Sequence, residues 1–190
     1  MEYLLWSESP VANACTLENV ENLHRFDLPC GVPLQKEWPS DALARMSKSF
    51  KKATALTDDL VNSDSIKVCS KRLVDFLKRK KLKNAEYLPL IILDHKGKVA
   101  SKEYSVVNLV GLQDALDHRA SKPTFNLLDP NQIDDVENLI IDVERIDPTL
   151  MVFRLKGLFD PVLIEKRLAD AILKEGFVGP FFEPLEDFNA

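Results

Sequence analysis

The chain has 190 residues, of which 45% are hydrophobic, a formal net charge of −5 and three cysteines. These totals place it among ordinary globular chains and exclude a disordered polar chain or a general binder of polyanions. Cys15, Cys30 and Cys69 are odd in number and show no C-x-x-C spacing. That argues against a disulfide framework or a cysteine zinc site and makes the cytoplasm the expected compartment.

Met1 to Trp6 lacks a basic start, and Ser7-Glu8-Ser9-Pro10 ends its apolar run, so no signal peptide is expected. Tyr3 to Trp6 reads as a short strand. Ser9 to Pro39 is irregular, punctuated by Pro10, Pro29, Pro33 and Gly31. A short helix is expected at Leu17 to Leu23 with Thr16 as its cap, and another from Pro39-Ser40-Asp41 through Ala42 to Met46. Residues 1–55 carry too few long apolar segments for a core of their own. They read as an arm packed on a core of residues 56–185, the whole 1–190 forming one domain.

Ile66 to Val68 reads as a short strand. Ser70 then caps a helix that ends in Lys78-Arg79-Lys80-Lys81, where cations complement the helix dipole. Ala85 to Leu93 is a strand, Asp94 to Lys98 a hairpin turn with Gly97 free to take positive φ, and Val99 to Val110 the returning strand. The longest apolar run, near Leu88 to Leu93, is far too short to span a membrane. Gly111 to His118 is a short helix or a loop.

Asp129-Pro130-Asn131 is a turn. Val136 to Ile146 and Leu150 to Leu155 read as two strands of one hairpin about Asp147-Pro148-Thr149. Asp160-Pro161 offers a helix cap and a proline at the first helical position, so the next helix is expected to start there. It ends at Glu175-Gly176, and Val178 to Glu183 is the last strand.

Two stretches, residues 68–90 and 163–185, echo each other. Arg72-Leu73-Val74-Asp75 becomes Arg167-Leu168-Ala169-Asp170, and Pro89-Leu90 becomes Pro184-Leu185, at one offset (167 − 72 = 95). Cys69, Leu73, Phe76 and Leu77 map onto Ile164, Leu168, Ala171 and Ile172, the i, i+4, i+7, i+8 pattern of one helix face. A duplicated helix–turn–strand unit is expected. Pro89 and Pro184 cannot donate to a ladder and belong at an edge, a bulge or a strand end. The expected class is α+β, a mainly antiparallel sheet with helices packed on one side.

No P-loop, G-x-G-x-x-G, H-E-x-x-H or G-x-S-x-G motif occurs, and no cofactor or metal is expected. Asp94-His95 and Asp117-His118 could each supply a base or a metal ligand, but both sit in loop-like contexts that suit solvated residues. His24 has no evident partner in the sequence. Residues 65–103 hold eleven Lys/Arg against four Asp/Glu, whereas 126–190 hold six against fourteen, so charge is segregated along the chain. The basic run at 78–83 could meet phosphates, yet exposed aromatics are lacking and nucleic acid is not the expected partner. Asp134, Asp135, Glu137, Asp142 and Glu144 lack EF-hand spacing. They read as a solvated or partner-facing surface, and acidic surfaces speed docking to a basic protein.

Several short motifs carry a family resemblance. They are Asp58-Asp59-Leu60, Val68-Cys69-Ser70-Lys71-Arg72-Leu73, Glu86-Tyr87-Leu88-Pro89-Leu90 and Tyr104-Ser105-Val106-Val107-Asn108. Ala115-Leu116-Asp117, Ser121, Phe153-Arg154-Leu155-Lys156-Gly157, Lys166-Arg167-Leu168 and Phe182-Glu183-Pro184-Leu185 continue the pattern. From about Leu56 to Leu185 the chain resembles a bacterial domain-of-unknown-function family grouped with the immunity proteins of polymorphic toxin systems, the myxobacterial-type immunity domain. The resemblance implies a cytoplasmic protein that neutralises a cognate protein toxin by direct binding, without catalysis or membrane insertion. It brings no catalytic residues. The alternative is an enzyme or nucleic-acid-associated protein using a cleft with Asp94, His95, Asp117, His118 and the basic run.

Overall fold

The computed structural model describes residues 1–8, 11–21, 23 and 28–188. His24 therefore lies outside the described residues. The fold is α+β, with strands outnumbering helices. Twelve strands are present among the described residues: β1 (Tyr3–Glu8), β2 (Leu43–Arg45), β3 (Asp59–Leu60), β4 (Lys67–Ser70), β5 (Ala85–Leu93), β6 (Val99–Leu109), β7 (Leu112–Gln113), β8 (Pro123–Phe125), β9 (Ile133–Val136), β10 (Val152–Leu155), β11 (Val162–Glu165) and β12 (Pro180–Glu183). The helices are α1 (Lys71–Lys80), α2 (His118–Ser121) and α3 (Lys166–Lys174).

Two five-stranded sheets form. The first has the order β2-β5-β6-β4-β3, the second β12-β1-β11-β10-β7, and β8 and β9 make a separate hairpin. Pairing is antiparallel except for β2 with β5 and β7 with β10. Alternation along each strand sends neighbouring side chains to opposite faces. In the second sheet Trp6, Val162 and Ile164 join a central cluster with Leu73, Phe76, Leu77, Leu168 and Ile172 of the helices. Tyr3, Leu5 and Leu163 face the other way, toward a cluster with Leu139, Ile146 and Phe153. The first sheet sends Cys69, Val107 and Leu109 to the central cluster and Val68, Leu88, Leu90 and Val106 to a third cluster. That third cluster is completed by Cys15, Leu17, Val20 and Leu34.

The region 65–110 follows its sequence pattern closely. Ser70 Oγ accepts from Leu73 N (3.3 Å) at the start of α1, and Lys81 closes the helix in the left-handed conformation. β5 and β6 pair across the expected turn. Pro89 is exposed and lies ahead of the part of β5 that β2 covers, so its missing N–H faces no partner strand. Pro184 directly follows β12.

Elsewhere tertiary pairing overrides local preference. Residues 17–21 form no helix: Leu17 N bonds Val61 O, Glu18 N bonds Arg45 O and Glu21 N bonds Leu43 O. Residues 43–45 are strand β2, not helix, because Ala42, Ala44 and Met46 alternate into the core beside β5. The expected strand over Val136 to Ile146 is shorter and earlier, β9 alone, followed by loop and a single 3-10 turn at Val143–Arg145. Accordingly β10 pairs with β11 and β7, not with that stretch. Asp160-Pro161 does not open a helix. Val162 to Glu165 is buried on both faces between β1 and β10, a position that only a strand can fill, and α3 starts at Lys166. Cys69 and Ile164 likewise lie in strands rather than on helix faces, though each packs in the central cluster.

Candidate functional site

Two regions outside the apolar core concentrate polar residues, and they differ in burial. The first is the seam between the sheets. Trp6 Nε1 on β1 donates to Asp59 Oδ2 on β3 at 2.8 Å. Lys67 Nζ on β4 stands 3.9 Å from Asp59 and 3.7 Å from Glu8 on β1. Trp6 and Glu8, two residues apart on β1, and Lys67 and Asp59 on paired strands β4 and β3 meet by strand alternation, so the cluster is a product of sheet register. Burial pushes the Asp59 carboxyl upward, with Lys67 opposing. Burial also raises Glu8 from an ordinary 4.5 to about 7, again against the pull of Lys67. A cleft of about 390 Å³ opens beside them, lined by Trp6, Glu8, Asn62, Lys67, Glu183 and Phe188. Ser7 Oγ donates to Glu183 at its rim.

The seam extends to Asp58, whose two oxygens hold four donors. Oδ1 accepts from Ser70 Oγ (2.6 Å) and Arg72 Nε (3.3 Å), and Oδ2 accepts from Arg72 Nη2 (3.0 Å) and Val178 N (2.9 Å). Arg72 also donates to Gly176 O at 3.0 Å and covers the Phe177 ring at 4.3 Å. The start of α1 is thus clasped to the turn after α3. Arg154, buried on β10, donates to the carbonyls of Phe159, Asp160 and Ser65, and burial lowers its guanidinium to about 10. The motif residues Asp58, Asp59, Ser70, Arg72 and Arg154 therefore join parts of the fold to one another. Sequence reasoning quoted them but missed their convergence, since nothing in the linear order brings β1 to β3.

The second region is the acidic face. Asp134, Asp135, Glu137, Asp142 and Glu144 are all exposed. Asp134 accepts from Asn126 Nδ2 (2.9 Å), Glu137 meets Lys122 Nζ (2.5 Å), and Asp142 caps the 3-10 turn through Glu144 N (3.1 Å). Ile133, Val136, Leu139 and Ile146 from the same stretch are buried. Carboxylates and anchors thus interleave, and the acidic surface is fixed to the core at short intervals.

The two histidines lie in different parts of the fold. His95 is half-buried in the β5–β6 turn, its Nε2 3.3 Å from Ala53 O. Asp94 beside it accepts from Lys96 N and Lys98 N, which holds its carboxyl below the usual range. His118 is exposed on α2 and stacks on Phe125 at 6.0 Å, while Asp117 caps that helix through Arg119 N and Ala120 N. Both aspartates thus have loop or cap duties. The basic run ends α1, where Lys78 lies over Tyr87 (5.1 Å) and Lys80 over Phe76 (5.0 Å). Cys69 is fully buried, and burial pushes its thiol well up, away from the reactive thiolate. Among the described residues, no group of three or more His, Cys, Asp or Glu is placed to hold a metal ion, and no helix is long and apolar enough to cross a membrane.

No curated protein matches the chain. The model of the Immunity protein family (Imm11) matches residues 16–187, beginning well ahead of the motifs that start near Leu56 and taking in the segment that covers the first sheet. With nearly its whole length matched, the chain belongs to the Immunity protein family (Imm11).

Proposed function

We propose that the protein neutralises a cognate toxin by stoichiometric contact, and that the acidic face carries the contact. Family membership supports a role in immunity without catalysis. The observation that carries the reading is the fixed exposure of Asp134, Asp135, Glu137, Asp142 and Glu144 above the buried anchors Ile133, Val136, Leu139 and Ile146. A surface ordered before binding loses little conformational freedom on docking. Clustered carboxylates steer a basic partner and fix its register. A stable complex needs roughly 1,200–2,000 Å² of total buried surface, so the face would form part of the interface.

The test is co-purification with the protein encoded by the adjacent gene, together with rescue of cells that express that protein. Both are expected. Replacing the five carboxylates by their amides is expected to slow association by roughly tenfold or more at low salt, with the difference shrinking as salt rises. Absence of both complex and rescue overturns the proposal.

A further inference from the structure

The β8–β9 hairpin, next to the acidic face, displays an apolar pair in water. Leu127 is 97% exposed and Leu128 96% exposed. Scattered surface leucines are common. Two adjacent ones at near-total exposure, in the loop that joins β8 to β9 and two residues after Phe125, itself 43% exposed, are unusual. The loop is held in one shape. Asn126 Oδ1 accepts from Leu128 N (2.8 Å) and Asp129 N (2.9 Å), and its Nδ2 donates to Asp134. Asp129 Oδ1 accepts from Asn131 N (3.0 Å), and Gln132 N closes on Asp129 O (2.9 Å). From below, Gly157 O accepts from Ile133 N (2.8 Å). A Cβ at Gly157 would stand 2.8 Å from Asn131 O, on a backbone with φ +81°. The loop thus rests on backbone that tolerates no side chain.

We infer that Leu127 and Leu128 are the anchor of the toxin complex, seated in an apolar pocket of the toxin whose rim is basic. The inference rests on the contact reading above and names its central point. The choice of occupant follows from charge. Asp129 directly follows the leucines, Asp134 is bonded to Asn126 just before them and Asp135 is next along β9, all exposed, so a pocket rimmed by Lys or Arg pairs with them as the leucines enter, whereas an anionic membrane surface would repel them. Interface energy concentrates in a few side chains that are well packed and fully desolvated. A preformed apolar pair meets that condition without reordering. A second copy of the chain is the competing occupant, since the end of α1 carries its own exposed basic run.

The decisive measurement titrates the wild type and Leu127→Ser/Leu128→Ser against the purified protein encoded by the adjacent gene. The double variant is expected to lose about a hundredfold in affinity, chiefly through faster dissociation. Its melting temperature should stay unchanged, because neither side chain is buried. Leu127→Met/Leu128→Met should restore most of the affinity. Gly157→Ala, which touches no partner, should also weaken binding by displacing the loop. If the double variant binds as tightly as wild type, the anchor is overturned and the contact reading survives. If the wild type itself does not bind, both fall. A wild-type dimer in sedimentation that the double variant abolishes, or binding to phosphatidylserine vesicles that it abolishes, also overturns the anchor.

Discussion

The strand–helix–strand stretch Lys67–Leu93 and its counterpart Val162–Glu183 place like elements in like order but differ in charge, the first carrying eight Lys/Arg against two Asp/Glu and the second three against four. In each, a strand runs directly into a helix, and a later strand returns beside a central antiparallel one. β4 and β5 flank β6, while β11 and β12 flank β1. Both helices bury their apolar faces in one cluster. The stretch 65–103 is strongly basic, and 126–190 strongly acidic. Packing constrains the inner face, so the outer face is free to vary. The shared inner face carries stability, and the outer faces are where the two stretches differ.

The helix starts also differ. At α1 the Ser70 side chain supplies a cap and Asp58 holds it in place. At α3 no side chain caps. There Lys166 N finds Glu2 O of the neighbouring chain segment at 3.0 Å, so tertiary structure satisfies an orphan donor that local sequence leaves open.

The strongest break of this comparison is in the shared core. Leu73 is fully buried and Leu168 nearly so. Leu168→Ala and Leu73→Ala are each expected to cost about 2–5 kcal/mol in urea unfolding. Similar losses would support reading the stretches as two copies of one unit, and a loss below about 1 kcal/mol at either would place that side chain in the surface regime.

Gly179, just ahead of β12, has φ +110°, and a Cβ there would stand 2.4 Å from Asp59 O. Gly179→Ala is expected to destabilise by about 2–4 kcal/mol, since either strand must move. Thermal melting checks it, and an unchanged melting temperature would mean that the two halves are not held this closely.

Glu8 lies at the seam. Its folded pKa, about 7, exceeds its ordinary 4.5, so the folded state holds the proton more tightly than the unfolded state. Its stabilising contribution is complete below about pH 4.5 and is lost as pH rises toward about 7, by up to about 3 kcal/mol. Urea midpoints between pH 4.5 and 8 should show this slope in the wild type and a flatter one in Glu8→Gln. Equal slopes would mean that the carboxyl is not desolvated.

The smallest effect sharpens the cap contrast. Ser70→Ala should cost about 1 kcal/mol through the lost cap, slightly more if Asp58 is left short of a donor. Glu165→Ala offers the matching measurement at α3, where the loss of a side-chain cap cannot contribute.

Legibility followed contact order. Ser70, the α1 periodicity, the turn at Gly97 and the pairing of β5 with β6 were readable because neighbours in sequence satisfy each other there. Residues 17–21, 42–46 and 162–165 were misread, because their partners lie far away along the chain. The acidic stretch was visible as composition. Leu127 and Leu128 were not singled out, since exposure is set by what fails to cover them.

By itself the sequence determined the α+β class, the two apolar helix faces, the charge segregation and the motifs of the family. The division of strands between two sheets, the Asp58 and Asp59 seam and the exposure of the β8–β9 loop were decided only by tertiary structure. Periodicity and capping act within a few residues, whereas strand partners and solvent exposure depend on which distant backbone groups and surfaces the folded chain brings together.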